Sequence, residues 1–262
     1  MSSILQLKDI LDQKVAQYNR LEFIETDPIC IPHAFGKKQD IEIAGLFAAI
    51  LAWGNRKTII NKCRELMQRM DNRPYEFIKY HQDNDLKQLL GFKHRTFQET
   101  DLLYFVAFLH HYYHHHDTLE TAFLPDTPDA RQSPNVGPHL RHFHRYFFSL
   151  PYAPLRTRKH VPTPARQSAC KRLTMYLRWM VRHDEQGVDF GLWQNINPAQ
   201  LVCPCDVHVV RTSLHLGLLQ KEQVNWHAAL SLTEQLKMLA PHDPVRYDFA
   251  LFGMGLESRY GN

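Results

Sequence analysis

Apolar residues recur along most of the chain at three- and four-residue spacing, the period of a helix lying on a core. Residues 4–18 open with this pattern, whereas residues 21–38, with Pro28 and Pro32, lack it and are expected to be irregular. Residues 40–53 are apolar almost all round, which predicts a central, buried helix with Asp40 as its cap and Gly54 as its stop. Ile59, Ile60, Cys63, Leu66, Met67 and Met70 then trace one stripe over residues 56–70. Further helices are expected over 74–80, 100–116, 139–150 and 168–182, the third with Leu140, Phe143, Phe147 and Leu150 inward. A helix capped by Asp206 and ended by Gly217 follows, then two more over 225–239 and 243–256, with Pro244 at the first helical position of the last. Residues 91–95, 125–138 and 151–164 read as loops, the second and third rich in proline. No stretch alternates with a strand's period of two and no segment repeats another, so the class is all-α.

Two of these helices begin with candidate chemistry. Ser168 as N-cap would put Lys171 at the third helical position with Arg172 beside it, while Leu173, Tyr176, Leu177 and Met180 form the core stripe. Cations in a first turn oppose the macrodipole by about 0.3–1 kcal/mol each. A local rule broken twice in one turn points to function, and phosphate binding would offset the cost. The same positive surroundings, with partial burial, would favour the neutral amine that a nucleophilic lysine requires. The plain alternative is a pair of solvated cations.

Asp206 follows Cys203-Pro204-Cys205 and caps a helix with Val207, Val210 and Leu214 inward. Capping is its plain role. His208, Arg211 and His215 share another face, either solvent or a phosphate surface. Lys171 and Asp206 lie 35 positions apart, so only the fold can bring them together.

Trp53, Asn55 and Arg56 occupy the turn between two helices, where a wedge side chain could enter DNA, although Trp53 suits a core equally well. The histidine-rich run 110–116 falls in the last turns of its helix, where the dipole suits it. Such tracts can bind metal, but this one is read as a solvated face. Asp248, in an apolar helix, is either a pocket carboxylate or a paired structural one.

Charge changes the picture through its distribution. The net charge is +4, yet residues 130–183 hold eleven of the 31 Lys and Arg side chains and none of the 27 Asp and Glu. An acid-free span of this length fits a nucleic-acid footprint. Five cysteines at irregular spacing suggest a reducing cytoplasm, and Cys203-Pro204-Cys205 lacks the second pair that a structural metal needs. The first residues form an amphipathic helix start, not a signal peptide, and no apolar run is long enough to span a membrane.

A lysine on a basic helix, then Pro204-Cys205-Asp206-Val207-His208-Val209-Val210-Arg211 and Leu216-Gly217-Leu218, resembles the helix-hairpin-helix DNA glycosylase superfamily. That group includes endonuclease III, the 8-oxoguanine glycosylases and their archaeal relatives. The separation of Lys171 from Asp206 is most similar to the archaeal 8-oxoguanine glycosylases. The chain as a whole is most similar to an uncharacterised bacterial family with the same Lys171-Arg172-Leu173 and Leu177-Arg178-Trp179-Met180-Val181-Arg182 helix. Residues 43–56 resemble the superfamily's buried helix and gap-filling loop, and residues 243–255 its C-terminal helix. Where the hairpin usually reads Leu-Pro-Gly-x-Gly, this chain has Pro164-Ala165-Arg166-Gln167-Ser168, and the iron–sulfur cysteines of endonuclease III are missing.

The resemblance implies one glycosylase-like unit over 1–262, with two helical lobes and a cleft between them: a central lobe at 40–183, and a second from 1–39 and 184–262 carrying Asp206. No iron–sulfur cluster, cofactor or metal is expected. It further implies a DNA repair glycosylase with AP-lyase activity, in which Lys171 forms a Schiff base and Asp206 stabilises the developing sugar cation. Trp53, Asn55, Arg56, Arg166, Ser168, Arg172, His208 and Arg211 would bind DNA, and Asp248 would belong to the pocket. The expected partner is double-stranded DNA with a damaged base or abasic site, met by a cytoplasmic monomer. A non-catalytic nucleic-acid-binding protein on the same scaffold, or a helical interaction protein, remains the alternative.

Overall fold

The computed structural model describes residues 2–260, which are mostly α-helical as the periodicity predicts. The helices are α1 Ser2–Tyr18, α2 Leu21–Thr26, α3 Lys38–Leu51, α4 Arg56–Arg69, α5 Pro74–Tyr80 and α6 Glu99–Tyr113. They continue with α7 Pro128–Arg131, α8 Gly137–Phe147, α9 Lys171–Val181, α10 Val207–His215, α11 Trp226–Leu239 and α12 Asp248–Tyr260. Among the described residues no helix is long and apolar enough to cross a membrane.

The chain forms two compact units. One comprises Ile24–Asp126 and Arg141–Pro162; the other comprises the residues up to Phe23, then Thr127–Leu140, then those from Thr163 onward. This division differs from the expected one. Helix α9, expected in a lobe apart from Asp206, belongs to the same unit as Asp206.

The first unit is organised on α3, whose residues from Ile41 to Leu51 are all buried. Asp40 lies in its first turn and, instead of capping it, accepts a hydrogen bond from the Tyr75 N–H at 2.8 Å. Glu42 is fully buried there, a charge that must be satisfied internally. Its carboxylate accepts from Tyr113 Oη at 2.9 Å, from the Leu119 N–H at 2.9 Å and from the Thr118 hydroxyl. These bonds fix the end of α6 and the turn after it onto α3. At its other end α6 starts with a reciprocal cap between Gln98 and Asp101. The expected loop at 91–95 contains half of a two-residue antiparallel ribbon, with Lys93 opposite Gln98 and His94 opposite Phe97.

In the second unit α1 packs on α12 and α12 on α10. A Cβ added at Gly253 would lie 2.2 Å from the Tyr18 ring, so glycine there lets α1 seat directly on the backbone of α12. The last segment opens differently from expectation. Pro244–Tyr247 forms a 3-10 turn, α12 starts only at Asp248, and Asp243 makes no cap bond because its carboxylate is engaged by Arg182. The regions expected to be irregular also contain short helical pieces, α2 and α7 among them.

Glu42→Ala should lower stability by about 2–4 kcal/mol, because several donors lose a buried charged acceptor together. Urea unfolding checks this; Glu42→Gln, which keeps an acceptor in place, should cost less.

Candidate active site

Residues Thr163–Cys170 lead into α9 without a glycine. The Thr163 hydroxyl accepts from the Ala165 N–H at 3.3 Å and starts a 3-10 turn over Pro164–Arg166. Gln167 and Cys170 then stand at φ 56° and 52°, in the left-handed region. For side chains other than glycine that region costs about 1–2 kcal/mol per residue. The loop therefore takes left-handed turns without the glycines that usually supply them, and the carbonyl of Gln167 is fastened by the Trp226 N–H at 3.1 Å.

Ser168 is not the helix cap. Cys170, being left-handed, interrupts any helix begun earlier, and the Ser168 hydroxyl accepts from the Cys170 N–H at 3.2 Å instead. Helix α9 thus begins at Lys171, which is its first residue, not its third. The side chains still point as the core stripe requires, with Leu173, Tyr176, Leu177 and Met180 buried.

Asp206 caps α10 as expected. Its Oδ1 accepts from the N–H groups of His208 and Val209 at 2.9 and 3.0 Å. The strand-like approach to it is anchored from α11, where the Thr233 hydroxyl accepts from the Cys203 N–H at 3.0 Å. Oδ2 faces elsewhere and lies 3.5 Å from Lys171 Nζ. Amine and carboxylate are 29% and 28% exposed, so the pair is open to solvent at one side and supported by protein at the other. An ion pair this exposed contributes about 1 kcal/mol or less to stability.

Beneath the pair lies a buried set of charges. Arg178, on the same face of α9 as Lys171 and two turns on, donates to Asp189 Oδ1 through Nε at 3.2 Å and to Asp248 Oδ2 through Nη1. Arg182 reaches Asp189 at 3.0 Å, Asp184 at 2.6 Å and Asp243 at 2.9 Å. Arg178, Arg182, Asp189 and Asp248 are all buried. Burial raises the Asp248 carboxyl to about 6, against the opposing pull of the Arg178 and Lys171 charges. Asp248 is therefore a paired carboxylate and also a neighbour of the lysine. Burial likewise pushes the Cys205 thiol up to about 12 and raises Cys203, which keeps both as neutral packing groups.

The remaining expected residues are dispersed. Arg172 is half-buried next to Cys170, and its burial lowers the guanidinium to about 10, still charged at neutral pH. Arg166 and His208 are exposed. Arg211 is exposed but paired with Glu222 at 2.8 Å. Trp53, Asn55 and Arg56 belong to the other unit. There Asn55 caps α4 by accepting from the Thr58 N–H at 3.2 Å. Trp53, half-buried as a residue, packs between His94 and His160, with the Arg95 guanidinium 4.9 Å from its ring, and its buried indole N–H has no acceptor among the described residues.

The basic span does not form a single exposed footprint. Arg178 and Arg182 turn inward to acids outside the span, and Arg156 pairs with Asp101 at 3.2 Å. Nothing in the sequence marks Asp189, Asp184 and Asp243 individually; the available signal is the absence of any acid within the span to neutralise Arg178 near the end of α9 and Arg182 just past it.

The family model described as Protein of unknown function (DUF2400) matches residues 27–257. The chain belongs to this family. The DUF2400 match takes in Lys171, Asp206, Asp248 and the arginine network, and it leaves α1 outside. No curated protein and no solved structure matches the chain.

Two outcomes are expected at this site. Asp206→Ala should destabilise the protein by about 1 kcal/mol through loss of the cap, whereas Asp206→Asn, which caps equally well, should be near neutral by thermal unfolding. The Asp248 carboxyl is raised above its ordinary value, so between about 4 and 6 the folded state binds the extra proton. Its contribution is present in acid and is lost as the pH rises through about 6. Relative to Asp248→Asn, the wild-type chain should therefore lose on the order of 3 kcal/mol over that interval in urea unfolding followed against pH.

Proposed function

We propose that the chain is a DNA glycosylase with AP-lyase activity, built on the helix-hairpin-helix glycosylase scaffold, with Lys171 as nucleophile and Asp206 as its electrostatic partner. The observation that carries this reading is the approach of an amine and a carboxylate, far apart in sequence, to 3.5 Å at the starts of two helices, both open to solvent. Stability does not require the pair, since its contribution is about 1 kcal/mol or less. Two helix N-termini and Arg172 make the surroundings positive, which suits a phosphate backbone bringing an extruded nucleotide to the amine.

In the proposed reaction the Lys171 nitrogen forms a bond to C1′ of the deoxyribose as the bond from C1′ to the base breaks. The base leaves with the bonding pair and takes up a proton. The sugar becomes cation-like on the way, and the Asp206 carboxylate, pre-placed beside it, stabilises that charge. Loss of a proton from nitrogen and opening of the bond from C1′ to the ring oxygen give the imine. Loss of a proton from C2′ then expels the 3′-phosphate. Asp206 can meet this demand because its capping bonds use Oδ1 and leave Oδ2 toward the amine.

Borohydride trapping on duplex DNA with an abasic site tests the proposal. A covalent adduct is expected with the wild-type chain and none with Lys171→Ala, whereas release of a damaged base from intact duplex DNA should slow about 10²–10³-fold with Asp206→Asn, which keeps the cap. Salt-sensitive DNA binding without any adduct would instead identify a non-catalytic binding protein, and an adduct that persists in Lys171→Ala would remove the lysine from the mechanism.

A further inference from the structure

The histidine-rich end of α6 lies in the unit that does not contain Lys171 and Asp206, and α5 packs on α6. Three rings run there in a row from one helix to the other. His81, just past α5, has its ring centre 4.7 Å from that of His110 on α6, and His110 lies 4.3 Å from His114. Hydrogen bonds fix all three. The Nδ1 of His110 donates to the Ile78 carbonyl of α5 at 2.8 Å, and that of His81 to the carbonyls of Phe77 and Ile78 at 2.9 and 3.1 Å. That of His114 donates to the His110 carbonyl at 2.8 Å. A carbonyl only accepts, so each Nδ1 carries the proton, and a second proton on Nε2 makes the ring a cation. The Ile78 carbonyl, shared by His81 and His110, ties the end of α5 to α6.

Neutral, these rings pack; charged together, they repel. Two unit charges 4.3 Å apart shift an equilibrium about fivefold even in water, and more where the rings are half-buried. His114, exposed at the C-terminal end of α6, is where the helix dipole favours the first proton. A charge there disfavours one on His110, which is half-buried between two rings. Burial holds His110 below its ordinary range; the Ile78 carbonyl opposes this, and His81, His114 and His111 add to it. The surroundings offer little to offset added positive charge. His111 and His115 from α6, Asp83 from the turn after α5 and Tyr152 from the loop after α8 line the same pocket of about 510 Å³, and Asp83 is the one acid among these lining residues. On α5, Lys79 donates to the Tyr75 hydroxyl and Glu76 pairs with Arg73.

We infer that the row of His81, His110 and His114 is an acid-sensitive latch, which holds the end of α5 on α6 while its middle ring is neutral and releases it when the rings become charged together. His110, depressed by its surroundings, binds fewer protons in the folded chain than in the unfolded chain. The contribution of the latch is therefore complete above the ordinary imidazole value of about 6.5 and is lost as the pH falls below it.

Proton NMR of the imidazole resonances, titrated against pH on the full chain, tests the coupling. His110 should titrate at lower pH than His114. In His114→Gln or His81→Gln its proton affinity should rise about fivefold or more, and His215→Gln, on α10, should leave it unchanged. Amide exchange, expressed as protection so that its intrinsic pH dependence cancels, tests the latch. Between about pH 7 and 5, protection of the α5 amides should fall about fivefold or more further in the wild-type chain than in His110→Gln, while α3 stays protected. Circular dichroism of each variant at neutral pH checks folding, and exposed His114 supplies the test of coupling should His81→Gln disturb the packing. An affinity of His110 that neither substitution moves, an equal loss of α5 protection in His110→Gln, or a wild-type loss that reaches α3 equally overturns the assignment.

Discussion

Arg178 holds two buried carboxylates at once, Asp189 from the connector after α9 and Asp248 from the start of α12. A guanidinium removed from water is tolerable only with such partners, and the partners are tolerable only with it. Arg182 extends the arrangement to Asp184 and Asp243. Removing either arginine leaves buried Asp189 with one partner fewer and strands the other carboxylates it holds, so α9, its connector and α12 are tied together. Backbone bonds reinforce this, from the Phe190 N–H to the Trp179 carbonyl at 2.8 Å and from the Trp193 N–H to the Met180 carbonyl at 2.9 Å. Networks of this kind contribute more to a unique geometry than to net stability.

That geometry is what the candidate site inherits. Lys171 sits two turns before Arg178 on the same helix, so fixing Arg178 fixes the line along which the lysine projects. Asp206 is set independently, by its own cap and by the bond from the Cys203 N–H to Thr233. The two oxygens of Asp206 divide the work: one is consumed by structure, the other faces the amine. The capping role and the chemical role read from the sequence are therefore not rivals.

Much of the organisation was legible before any coordinates. The stripe Leu173, Tyr176, Leu177 and Met180, the fully apolar α3, and the Asp206 cap all rest on local periodicity and local hydrogen bonding, which short segments of sequence encode directly. Ser168 was misleading for an equally local reason. A good capping residue was present, but Cys170 adopts a backbone conformation that composition alone does not forecast outside glycine. The acid-free span differs in another way. It lacks acids along the chain, yet Arg178, Arg182 and Arg156 are neutralised across it by acids that lie outside the span.

By itself, then, the amino-acid order determined an all-helical protein, the faces its helices bury, and the residues equipped for chemistry at two helix starts. Only tertiary structure decided that Lys171 meets Asp206, that Asp248 is held by Arg178 beneath them, and that Trp53 packs among histidines in the other unit. The reason is range. Helical period and capping act over a few residues, whereas an ion pair between positions 171 and 206 depends on how the intervening chain is routed. That route is set by burial summed over the whole core, which no short stretch of sequence contains.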